Sequence, residues 1–239
     1  MIKKIRIITV ILLVFLSSIG WAAGSELELI APGGGEMDME KNLVKYYSAG
    51  SQPVEARWEN SKLFANYLEY YRDQELIKAK DKVKLVEIAP GKRVLNCGEL
   101  NLEVKRDFLV ARNQVLLQMD ADSSATGGVL EWDRVGDKMK FSEKPVIHSK
   151  EWRINSELIE GQPNKGIYTL SGPINATDGE AVAKAGKAIY NQNTGQIFFQ
   201  DNPVFTRGKN EMKATEIIYE LNTKKVSAKG LVTSKIIKE

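Results

Sequence analysis

Cysteine and histidine each occur once in this 239-residue chain, and much chemistry leaves with them. A single Cys97 closes no intramolecular disulfide. Zinc sites built on histidine need several ligands, and a hydrolytic triad needs a nucleophile and an orienting acid beside its imidazole. Nothing in the sequence supplies either to His148. A phosphate loop of the Gly-x-x-x-x-Gly-Lys kind is also missing, because the run Gly33-Gly34-Gly35 leads into Glu36 and offers no lysine. Asp120, Asp122 and Ser124, with Glu131 beyond them, copy a calcium loop faintly, but Ala125 stands where such a loop turns on glycine. No catalytic residue, metal or cofactor is expected.

Positive charge is scarce once the start of the chain is set aside. The formal net charge is +3. Lys3, Lys4 and Arg6 supply that excess, and the first 23 residues hold no acid, so the remainder is neutral. A basic patch for nucleic acid is therefore not expected. Long apolar runs are equally scarce. The one candidate, Ile7 to Ile19, falls short of the ~20 residues that a membrane span needs. With basic residues before it and Gly20, Ala22, Ala23 and Gly24 after it, it reads as an export signal over residues 1–23, or as an anchor if it stays uncleaved. Residues 24–36, with their three glycines, read as a flexible segment. Residues 37–239 read as one domain.

What the chain does have is a repeat. Small residues open six frames at Ala65, Cys97, Gly127, Ser156, Ala185 and Ala214, spaced 32, 30, 29, 29 and 29 residues apart. Twelve and fourteen positions into each frame stand Ile77/Ala79, Leu109/Ala111, Met139/Phe141, Tyr168/Leu170, Ile197/Phe199 and Val226/Ala228. All are apolar. Period-two spacing puts both members of a pair on one face of a strand. Between the half-repeats lie turn formers such as Asn193-Thr194-Gly195 and Asn164-Lys165-Gly166, so each unit reads as strand, turn, strand. Pro145 and Pro203, eighteen residues into their frames, mark bends, because proline donates nothing to a ladder. A weaker unit carrying Val44 and Tyr46 precedes the six. The expectation is an all-β array of roughly fourteen strands or more.

Such an array concentrates apolar side chains on one surface. Tyr67, Tyr70, Trp132, Phe141, Tyr168, Phe199 and Phe205 are expected inside a folded-over sheet. Ile77, Leu109, Met139, Phe141, Leu170, Ile197 and Phe199 are the expected lining of an apolar groove that takes lipid. An exported carbohydrate-active array is the competing reading, but its groove would be polar and acidic, whereas these slots are apolar. Both terminal sheet edges should be free to pair with another copy.

The segments Ala65-Asn-Tyr-Leu68-Glu-Tyr70, Ile77-Lys-Ala79 and Ala214-Thr-Glu-Ile217-Ile-Tyr219, in the register that all six frames share, resemble the LptA/OstA family of periplasmic lipopolysaccharide-transport proteins. The resemblance runs from about Ala31 to Ile236. It implies an open twisted β-jellyroll, built of units of about 29–32 residues, whose interior shields the acyl chains of lipid A. It also implies a periplasmic, non-enzymatic protein that self-associates edge to edge and bridges inner and outer membranes. Its implied partners are an inner-membrane export complex and an outer-membrane assembly protein. A membrane-anchored LptC-like member of the same pathway is the alternative that an uncleaved start would favour. Cys97, Gly127 and Ser156 depart from the opening alanine, and Gly161 departs from the aromatic.

Overall fold

The computed structural model describes residues 27–88 and 92–237. The export signal expected over residues 1–23 lies outside them. The described chain is strand almost throughout, interrupted by turns and two single 3-10 turns at Val104–Arg106 and Pro163–Lys165. The strands are β1 (Glu28–Ile30), β2 (Gly35–Asp38), β3 (Leu43–Tyr47), β4 (Val54–Trp58), β5 (Ser61–Ala65), β6 (Tyr67–Tyr71), β7 (Leu76–Glu87) and β8 (Val94–Glu103). Then come β9 (Phe108–Gln118), β10 (Ser123–Asp133), β11 (Lys138–Ser142), β12 (Val146–Ser149), β13 (Trp152–Asn155), β14 (Leu158–Gln162) and β15 (Ile167–Thr177). The last are β16 (Ala181–Asn191), β17 (Gln196–Gln200), β18 (Val204–Arg207), β19 (Asn210–Lys213), β20 (Glu216–Glu220), β21 (Lys225–Lys229) and β22 (Thr233–Lys235).

Every pairing is antiparallel, and the pairings sort into two arms. The first arm runs β2-β3-β6-β7-β8-β9-β10-β11-β14-β15-β16-β17-β20-β21. The second runs β1-β4-β5-β7-β8-β9-β10-β12-β13-β15-β16-β18-β19-β22. Long strands such as β7 and β15 serve both, bending midway. Each arm thus holds fourteen strand positions, and the arms meet along a corner like the two covers of a book.

The corner obeys a rule that couples two positions in each frame. Sixteen residues after each opening slot the backbone turns left-handed, with φ of 61° at Asp81, 66° at Asn113, 61° at Glu143, 88° at Gly172, 61° at Asp201 and 81° at Gly230. There the ladders skip register, for example between Lys80 and Val83 and between Ser171 and Ile174. Such a bulge bends the strand and steepens its twist. The residue at the second slot of the same frame packs against this bend, and the space suits one side chain. A Cβ on Gly98 would stand 2.8 Å from that of Asn113, and one on Gly186 would stand 2.8 Å from that of Asp201. Where Glu157 and Thr215 fill the second slot, the glycine moves to the bend, at Gly172 and Gly230. The two prolines follow this pattern: Pro145 and Pro203 come just after bends where the strand breaks in two.

Of the segment 24–36 that the sequence reads as flexible, residues 24–26 lie outside the described residues, and in the rest the same rule gives the glycines another role. Gly33 takes the second slot of the first unit, its N–H donating to the Tyr47 carbonyl at 2.9 Å, and a Cβ there would run into the Ser48 backbone. Ile30 and its neighbours pair with β4, and Gly35–Asp38 pair with β3. The three glycines build a corner instead of a joint. Val44 and Tyr46 lie in β3, which β2 covers, so the edge of the first arm is β2.

Candidate functional site

Alternation in each strand sends one set of side chains between the arms. Ile77, Leu109, Phe141, Leu170, Ile197 and Phe199 are wholly buried there, and Met139 is 3% exposed. All seven join one apolar cluster running from Val54 to Leu221. At about 1.5–3 kcal/mol for each large apolar side chain taken from water, this interior is what holds the arms together. Its members fill it. The seven residues pack against one another and their neighbours. The interior surfaces at both ends, where Leu27, Leu29, Ala31 and Tyr46 at one end and Met212, Ala214, Val226 and Ala228 at the other are partly exposed.

The aromatics divide. Tyr70, Trp132, Phe141, Tyr168, Phe199 and Phe205 are inside as expected. Tyr67 is not. It alternates with buried Leu68, so it faces out, its ring tilted by 43° against Tyr47 with centroids 5.5 Å apart, and it donates to Glu69 at 2.7 Å. Cys97 packs at its opening slot, where burial pushes the thiol up to about 12. Asp120 accepts the N–H groups of Asp122 and Ser123 at 2.8 and 2.7 Å, which makes it a turn-forming residue. His148 lies in β12 between Ser124 and Arg153. Burial, and then Arg153, lower its pKa.

Opposite the corner the arms approach again, and a polar seam closes this mouth. Its richest part gathers two arginines around one indole. Arg134, at the end of β10 in the first arm, donates to Ser61 Oγ of the second arm at 2.7 Å and lies 3.4 Å from Glu87. It also pairs with Asp107 at 3.0 Å. Arg93, at the start of β8 in the second arm, donates to Glu87 at 3.3 Å and crosses to Asn164 Oδ1 at 3.1 Å. Both guanidiniums lie over the Trp132 ring, 5.7 and 5.8 Å from its centroid, a cation–π arrangement. Burial raises the Asp107 carboxyl, against the pull of Arg134. A cavity of about 150 Å³ lies among these groups.

Further along, the seam changes chemistry. Ser149 Oγ and the Tyr190 hydroxyl share a hydrogen bond of 2.8 Å. Gln192 donates to Asp120, and Lys150 to Asn222. Lys224 meets Glu151 at 2.8 Å. Burial pushes Asp120 up, but the hydrogen bonds from Ser123, Gln192 and the Asp122 N–H hold it below its ordinary value. A second cavity, about 200 Å³, sits here.

The model of a family described as "LptA/(LptD N-terminal domain) LPS transport protein" matches residues 36–225. No curated protein matches the chain. Among solved structures the chain is similar to LptH of Pseudomonas aeruginosa, described as the LptA homologous periplasmic component of the conserved lipopolysaccharide transport device. The identity is 12%, over 61% of this chain and 95% of that one, and the TM-score is 0.29, a likeness too loose to build on.

Proposed function

The chain belongs to the LptA/LptD N-terminal domain family of lipopolysaccharide transport proteins, and from that premise we propose that it is a periplasmic carrier that shields lipid acyl chains between its two arms. One observation carries the reading: a single apolar interior runs the length of the array and surfaces at both ends. Each methylene moved from water into such an interior gains about 0.8 kcal/mol, so a few chains hold a ligand with no catalytic group. Because the space is filled in the closed form, an entering chain displaces side chains and parts the polar seam. The exposed part of the seam suits that role: a pair such as Lys224–Glu151 costs only about 0–1 kcal/mol to break, and the buried Glu87 cluster is the part that resists opening.

A photo-crosslinking residue at Leu109 or Ile197 should form adducts with lipopolysaccharide, whereas one at outward Lys140 should not. Equal labelling at inward and outward positions would sink the proposal. A second arm locks the mouth. In a Cys97→Ala background, Ser61→Cys with Arg134→Cys, bridged by a cleavable bis-maleimide, should lose the Leu109 adduct and regain it on cleavage.

The same reading has copies join end to end, bridging inner and outer membranes between an export complex and an outer-membrane assembly protein. Three features support it. The edges β2 and β1 at one end and β21 and β22 at the other pair on one side only among the described residues. Fourteen antiparallel positions in each arm mean that a second copy's β2 and β1 continue the alternation beyond β21 and β22. Glu28, Glu36 and Asp38 mark one end, and Lys225, Lys229 and Lys235 mark the other. Ser227→Pro, in the middle of β21, should abolish self-association in sedimentation velocity; undiminished association would refute edge pairing. Export predicts an intact mass short of the first ~23 residues. A full-length, membrane-extracted species would favour the anchored relative.

A further inference from the structure

Five of the cross-mouth contacts share one sequence separation, whereas Glu87–Arg134 and Ser149–Tyr190 reach one unit less far, at 47 and 41 residues. Ser61 meets Arg134, Arg93 meets Asn164, Asp120 meets Gln192, Lys150 meets Asn222, and Glu151 meets Lys224, at separations of 73, 71, 72, 72 and 73 residues. At the corner the two arms are continuous chain, so there the separation is nil. The strands of the two arms therefore cross, and by the mouth they have slid past one another. In turns, the slide is simple. The mouth-side turns of the first arm lie at residues 39–42, 72–75, 104–107, 134–137, 163–166, 192–195 and 221–224. Those of the second arm lie at 59–60, beside Ile88 and Arg93 at the facing ends of β7 and β8, and at 119–122, 150–151, 178–180 and 208–209. Each of the first four turns of the second arm meets the first-arm turn of the unit three further along the chain.

This slide leaves an overhang at each end. The second-arm turns at 178–180 and 208–209 have no first-arm turn left to meet, and the first-arm turns at 39–42 and 72–75 have no second-arm turn three units before them (nor has 104–107, whose counterpart position falls at the joint between β22 and the next copy's β1). Among the described residues no polar contact crosses the mouth at any of these four turns. We infer that the mouth seam continues from one copy into the next, the turns at 178–180 and 208–209 of one copy closing on those at 39–42 and 72–75 of its neighbour. The inference rests on the end-to-end reading above and adds a second contact to it, distant from the edge strands. The register is fixed by the fold. An array that continues its fourteen positions per arm carries the three-unit step across the joint, bringing residues 178–180 to 39–42 and residues 208–209 to 72–75.

At one overhang the charge matches: Arg207 and Lys209 come to Asp73 and Glu75, with Arg72 beside them. At the other, Asp178 and Glu180 come to Lys41, the one cation of a turn that also holds Glu40. Glu180 and Lys41 are 74% and 73% exposed at their side chains. Their present partners, Arg207 and Asp38, are neighbours on the same overhangs, in exposed pairs that exchange at little cost. An interior whose mouth is sealed only in its middle is completed at the ends by the next copy.

The test uses the exported chain in sedimentation velocity at low and moderate salt. Glu180→Lys should weaken association about threefold to tenfold, as expected when exposed attraction becomes repulsion. Adding Lys41→Glu to the same chain should restore it, a rescue that two residues at opposite ends of one molecule cannot achieve within it. No loss with Glu180→Lys, or loss without rescue, overturns the inference. If Ser227→Pro abolishes association while Glu180→Lys leaves it unchanged, the edges join the copies and the mouth turns do not. If the unaltered chain stays monomeric at every concentration, the end-to-end reading falls and takes this inference with it.

Discussion

The two halves of the mouth do the same job with different chemistry. In the first half two arginines, a buried glutamate and an indole tie the arms, and removing any one of the charged members leaves charge unbalanced in a place water barely reaches. In the second half hydroxyls and amides share the tying with single exposed charges such as Lys150 and the Lys224–Glu151 pair, and behind them Trp152 packs on Tyr219 with centroids 4.5 Å apart. Position is held constant by the slide between the arms; residue type is free. A seam of this kind is set by where the turns fall, and its strength is then tuned locally.

The comparison breaks most sharply at Glu87. Its side chain is 8% exposed and serves both arginines, so Glu87→Ala should cost about 3–5 kcal/mol, the usual result of leaving a buried charge unpaired. Urea denaturation reads this directly, and a loss under about 1 kcal/mol would mean that the cluster is already hydrated. The corner should show no such contrast between halves. Gly98→Ala and Gly186→Ala should each lose about 1–3 kcal/mol through overpacking. Asp201→Gly should return most of the second loss, copying the arrangement at Glu157 and Gly172. If the double variant is no better than the single, the corner rule is wrong.

A smaller effect belongs to the second half. Tyr190→Phe deletes the hydrogen bond to Ser149 and should cost about 0.5–1.5 kcal/mol, well below Glu87→Ala in the same assay. Smallest is the response to acid, where the halves should differ in sign. Burial raises the Asp107 carboxyl above its ordinary 3.8, so its ionised form weakens the fold near neutrality, and acidification through its folded pKa relieves that weakness. Asp120 sits below 3.8, so its contribution is present above that value and is lost as pH falls through its folded pKa. Stability profiles of Asp107→Asn and Asp120→Asn against the parent should lose the rise and the fall respectively.

Most of the scaffold is legible in the sequence because its causes are local and repeat. Apolar pairs at fixed slots identify the inward face of every unit, and the resemblance drawn from them holds. Tyr67 escapes that reading because an aromatic side chain suits either face of a strand, and only its alternation with Leu68 decides. The corner rule escapes for a subtler reason. Its glycine sits at the second slot in Gly98, Gly128 and Gly186 but at the bend in Gly172 and Gly230, so neither column looks constrained alone. Asn66 and Asp81, with no glycine between them, hide it further. The seam is least legible. Glu87 and Arg93 flank one connection of the second arm and Arg134 sits in a turn of the first, three ordinary charges of which only the slide between the arms brings the third to the other two.

The fourteen positions in each arm also make the molecule a ruler. Neighbouring strands stand about 4.7–4.9 Å apart, so one copy spans roughly 65 Å along its axis, and each unit adds two positions, or about 10 Å. Whole units preserve strand direction at the joint and the three-unit step across the mouth; half a unit reverses both. Reach can therefore change only in steps of one unit, and a chain shortened by residues 97–126 should still join its copies while measuring out a span one notch smaller.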